Sequence, residues 1–113
     1  MELLQLLKSL DFLHQEQRMD EYKQQYYFFM NLAVAQQDCE TMQTLLVRYT
    51  RDLLYVDDRT QIVQLLQRAE HFMLLPENRQ YHADYYLIKG HLYHYALNFD
   101  AAMVAYKCAR HCC

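Results

Sequence analysis

One glycine and one proline in 113 residues is the feature that most restricts this chain. Sheets need tight turns, and tight turns draw on these two residue types. Glycine reaches positive φ without steric cost, and proline presets the φ that many turns require. A chain almost without them has little means of reversing strands. It is rich instead in Leu, Gln, Ala, Met and Glu, which lose little conformational freedom in a helix. The expected class is all-α.

The remaining composition narrows this further. At 113 residues the chain is one domain or a piece of one. A chain of this size buries roughly 65% of its unfolded surface, enough for a core without staples. With 53% hydrophobic residues, the composition argues against disorder. Net charge is −3, the pI is about 6.0, and no basic cluster exceeds two adjacent cations, which argues against nucleic acid as a partner. No apolar run reaches membrane-spanning length, and "MELLQLLKSLDFLHQEQ" lacks the basic start and small-residue cleavage site of a signal peptide. The four cysteines are Cys39, Cys108, Cys112 and Cys113, and three of them crowd the last six residues. That is not the spread of a disulfide framework, so free thiols in a reducing cytoplasm are expected, with no membrane contact.

Written in rows of forty, the chain lines up with itself. Leu6, Leu46 and Tyr86 share a column, as do Leu7, Val47 and Leu87. Leu10, Thr50 and Gly90 follow, then Leu13, Leu53 and Tyr93. In the second half of each row stand Tyr22, Ile62 and Ala102, then Tyr26, Leu66 and Tyr106, then Phe29, Ala69 and Ala109. Steps of three and four between columns are the period of a helix face. Each row therefore carries two helices, expected at 2–16 and 19–37, 40–56 and 59–75, and 78–97 and 99–112. Pro76 and Asn78 mark the clearest break, with Asn78 as an N-cap. Short connections make consecutive helices antiparallel, which gives three stacked hairpins over about 1–38, 39–77 and 78–113.

Residues 83–109 carry a more specific pattern. Tyr86-x-x-Lys89-Gly90-x-x-Tyr93 precedes Phe99-Asp-x-Ala102-x-x-x-Tyr106-x-x-Ala109. This resembles the tetratricopeptide repeat. Small residues at 90, 102 and 109 let two helices approach, and large ones at 86, 93, 99 and 106 fill the wedge between hairpins. A side chain at Gly90 would hold the last two helices apart. The pattern departs from the family in its period of forty, in Leu97 at the turn and in Lys89 where a leucine is usual. In the first two rows Leu10 and Thr50 replace the glycine, and Tyr22 and Ile62 the alanine. Longer repeats of this sort are similar to those of bacterial regulators with helical peptide-sensing domains. The resemblance implies an α-α superhelix that binds a protein or peptide segment and performs no catalysis.

Side chains that could carry chemistry read as surface or packing. His91 and His94 share a helix face, but His91 falls in the column of Asp11 and Arg51 and is expected to face solvent; no metal site is expected. Cys108, His111 and Cys112 are close in sequence without ligands from a second element. In "YYFFM", Tyr26, Phe29 and Met30 fit the core face, whereas Tyr27 and Phe28 are expected to point elsewhere. Asp57 and Asp58 read as a helix boundary. There is no phosphate loop or nucleophile motif, so neither an enzyme nor a cofactor is expected.

If the repeat geometry of the family holds, the first helix of each row lines a concave face. That face would carry Asp11 and His14, then Val47, Arg51 and Tyr55, then Asp84, Leu87, His91, His94 and Tyr95. Arg51 is the candidate for gripping an acidic group, and the histidines could couple binding to pH. The last helix lacks the polar face of a cap. Ala101, Met103, Ala105 and Cys112 are expected to be partly bare, which suggests either a piece of a longer protein or a homodimer through this helix that controls an attached output domain.

Overall fold

A computed structural model describes residues 2–111. It is all-helical: α1 (Leu3–Gln15), α2 (Met19–Ala35), α3 (Cys39–Asp52), α4 (Thr60–Met73), a 3₁₀ helix (Pro76–Tyr81), α5 (His82–Tyr95) and α6 (Phe99–His111). Asp20 and Asp100 occupy the first turns of α2 and α6, where the helix dipole favours a negative charge. Asp38 caps α3 by accepting from the backbone N–H of Thr41 at 3.2 Å.

The chain reverses without glycine through one repeated device. Gln17, Gln37 and Leu97 adopt left-handed φ of 56°, 54° and 61°. The residue after each donates its N–H five positions back, from Arg18 to Leu13, Asp38 to Ala33 and Asn98 to Tyr93. This closes the carbonyls left open at a helix end, the role glycine usually serves.

Two boundaries differ from those expected. The helix expected over 40–56 stops at Asp52, because the chain must swing Asp57 into the interior. There Asp57 Oδ2 accepts from the hydroxyls of Tyr27 and Tyr49, the latter at 2.7 Å, and from the N–H of Arg59. Asp57 is thus more than a helix boundary. The second difference lies at 76–81, where a 3₁₀ segment precedes α5. Asn78 does not cap α5; its side chain donates to the carbonyl of Phe72 at 2.7 Å.

The repeat columns mark much of the core. Leu10, Tyr22, Tyr26, Ile62 and Ala69 are fully buried, with Met30, Met42, Leu45 and Tyr49 between them. Tyr85, not Tyr86, is the deeply buried tyrosine of α5. Tyr27 is also interior rather than pointing away, and Phe28 is the exposed member of its run. A buried tyrosine must pair its hydroxyl. Tyr22 donates to Asp52 at 2.6 Å, Tyr26 to the carbonyl of Leu45 at 2.6 Å, and Tyr85 to Glu70 at 2.8 Å. These bonds tie α2 to α3 and α4 to α5.

The closest pair is α5 with α6, where Gly90, Ala102 and Ala105 stand at the contact. α3 approaches α2 and α5 more closely than its own hairpin partner α4, and α2 lies against α4. Thr50 and Ile62 stand in the columns that hold Gly90 and Ala102 in α5 and α6, so the small-residue contact of the last pair is not repeated between α3 and α4.

Helix α6 differs from expectation in one respect. Ala105 is buried, because it turns toward the rest of the molecule, whereas Ala101 is half-buried. Met103 and Val104 are the bare residues, at 54% and 63% exposure. Cys112 lies outside the described residues.

Candidate functional site

The ten residues expected on one face lie on α1, α3, α5 and the turn after α3, and they fall into three clusters. The first is charged. Asp11 is paired with Arg48, whose hydrogen bond holds the carboxyl below its ordinary range, and Arg51 lies 3.8 Å away. Arg51 also donates to both oxygens of Asp52, at 2.7 and 2.8 Å. His14 Nε2 stands 3.5 Å from Asp52 Oδ1. Burial pushes the Asp52 carboxyl up, and the bonds from Arg51 and Tyr22 outweigh that and pull it down. The guanidinium of Arg51 is therefore already engaged by two carboxylates, and a ligand must compete with them.

The second cluster is apolar. Val47, Arg51, Asp84 and Leu87 border a depression of about 190 Å³ between α3 and α5. Val47 and Leu87 are exposed there, and the Asp84 carboxylate accepts from Gln43 at 2.5 Å.

The third cluster is aromatic and the largest. Tyr55, His91, His94 and Tyr95 line an open groove of about 610 Å³, together with Leu54, Leu97, Phe99 and Tyr106. The rings stand edge to face: Tyr55 with Tyr95 at 5.5 Å between centroids, His94 with Phe99 at 5.3 Å, and His91 with Tyr106 at 5.6 Å. Arg59 stacks over Tyr95 at 4.6 Å while donating to the carbonyls of Leu54 and Asp57. Tyr55 is 74% exposed and Phe99 53%, so the groove presents ring area to solvent.

His91 is not the solvent-facing residue expected from its column. It is half-buried, and Tyr106 Oη is 3.1 Å from its Nδ1. The physical reason is Gly90, which brings α6 close enough for the Tyr106 ring to reach across α5. Burial lowers the imidazole's affinity for a proton, and the charge of His94 lowers it further.

Phe99 and Tyr106 line the groove and Arg59 stacks on its Tyr95, none of which follows from the sequence pattern. Tyr106 and Phe99 were visible only as wedge residues of the repeat pattern. Among the described residues no three His, Cys, Asp or Glu side chains converge as a metal site. No helix among them is long and apolar enough to cross a membrane. Comparison with protein-family models, curated proteins and solved structures finds no match to this chain.

Proposed function

We propose that this chain is a non-catalytic, tetratricopeptide-like module that binds a protein or peptide segment. The observation that carries this reading is the aromatic groove, whose exposed Tyr55 and Phe99 rings offer area without lining carboxylates or a nucleophile. Rings of this kind anchor partners at low conformational cost. The packing of α1 on α2 and of α5 on α6, with α3 between them against α2 and α5, supports a stacked helical array of the kind the repeat pattern implies. In that setting the module is the sensory or interaction part of a cytoplasmic bacterial regulator.

The test is a peptide array probed with the purified chain and with Tyr55→Ala, Tyr95→Ala and Arg51→Ala variants. The expected result is a selective set of peptides that loses affinity at least about tenfold in the tyrosine variants. Unchanged affinity in all three removes this face from consideration.

A second reading is favoured by one observation. Met103 and Val104 leave adjacent apolar side chains bare on α6. Such a surface suits self-association that controls an attached output domain.

A further inference from the structure

We propose that the aromatic groove takes an acidic peptide segment, its carboxylates drawn to His91 and His94 and its apolar side chain to Tyr55 and Phe99, with uptake of protons. The inference rests on the groove being the binding site proposed above, and adds the chemistry of the partner.

The charge inventory of the groove is one-sided. From α5 it receives His91, His94 and Tyr95; from α6, Phe99 and Tyr106; from the turn after α3, Leu54 and Tyr55. The Arg59 guanidinium sits over Tyr95. No carboxylate is among the described residues that line it. The acids of neighbouring segments are committed elsewhere. Asp52 holds Arg51 and Tyr22, Asp57 holds Tyr27 and Tyr49, and Asp58 accepts from the N–H of Thr60. On α6, Asp100, Lys107 and Arg110 are exposed and border no part of the groove. Two imidazoles therefore share an aromatic site with no counter-charge of their own.

The absence of a counter-charge explains why protonation is unfavourable in the free protein. Burial and the neighbouring imidazole both disfavour charged His91. A ligand carboxylate supplies the missing partner, so His91 binds its proton more tightly in the complex than free. By linkage, affinity rises as pH falls. Ligand glutamates, with pKa about 4.3, remain ionised at pH 5.5, so the window lies between about pH 5.5 and 7.5.

The experiment uses three fluorescently labelled peptides, acetyl-EFEFE-amide, its Gln-for-Glu counterpart and its Lys-for-Glu counterpart. Anisotropy titrations run at pH 5.5 and 7.5, alongside NMR titration of the histidine Cε1–H signals. The acidic peptide is expected to bind about tenfold tighter at pH 5.5 than at 7.5, the neutral one equally at both, and the His91 pKa to rise on binding. His94→Gln, an exposed change that leaves the core intact, is expected to shrink the pH effect. The neutral or basic peptide binding as well as the acidic one at pH 5.5 overturns the proposal while keeping the groove as a binding site. Binding by none of the three overturns this proposal, and the peptide array then decides the groove's role independently. A pH effect of the same size in both His94→Gln and His91→Asn also overturns it.

Discussion

Gly90 and Tyr106 occupy the same space between α5 and α6. A Cβ at position 90 would lie 2.5 Å from Tyr106 Cε1 and 2.7 Å from Cδ1. Gly90→Ala therefore forces the ring outward. Overpacking costs about 1–3 kcal/mol, offset by about 1 kcal/mol of helix propensity. A net loss of about 1 kcal/mol in urea unfolding is expected, together with a changed His91 signal. Adding Tyr106→Leu should restore stability; no recovery in the double variant would place the strain elsewhere.

Asp57 is the interior carboxylate on which Tyr27, Tyr49 and the turn at Arg59 converge. Asp57→Ala leaves two buried hydroxyls without an acceptor, and a loss of about 2–4 kcal/mol is expected. Burial raises the Asp57 pKa, but the two tyrosine bonds more than reverse this, so it lies below the ordinary value. A depressed folded-state pKa contributes stability that is present above the unfolded value of about 3.9 and is lost as pH falls through the folded value. Wild-type unfolding followed from pH 6 to 2 should fall steeply below about pH 4, and Asp57→Asn should flatten that fall.

Gln37 is exposed and held at φ 54°, and its side chain makes no hydrogen bond among the described residues. Gln37→Gly removes the left-handed penalty and should raise stability by about 1 kcal/mol. Gln17→Gly should do the same, and the two gains should add because the turns are apart. Thermal unfolding of the single and double variants measures this, and a loss of stability would contradict the account of these turns.

If α6 is an assembly surface, Met103→Glu and Val104→Glu should abolish association without unfolding the chain, since both side chains already face water. Sedimentation equilibrium at hundreds of micromolar distinguishes the cases. A strictly monomeric wild type disposes of the self-association reading.

The all-helical class was legible because it depends on composition and period, both local properties. The columns that hold Leu10, Tyr22, Tyr26 and Ile62 are buried in the folded chain. What sequence could not supply was the outcome of a turn. Tyr27 and Asp57 are thirty residues apart, and their meeting depends on where α3 stops. Period alone therefore puts Tyr27 off the core, although its ring is interior. The aromatic groove was half legible for the same reason. Tyr55, His91, His94 and Tyr95 share one face in the repeat geometry that the family resemblance implies. Phe99, Tyr106 and Arg59 join them through the close α5–α6 approach and the left-handed turn at Arg59, and periodicity carries no information about either.

The tight α5–α6 pair also bears on the order in which the molecule assembles. Its two helices are joined by a short turn, so bringing them together closes only a small loop of chain. Pairing α3 with α5, or α2 with α4, encloses an intervening helix and a larger entropy loss. The α5–α6 hairpin therefore forms at a small loop-closure cost, as does α1–α2 with its equally short connection, whereas the groove is complete only when the distant Tyr55 side is brought against its histidine wall.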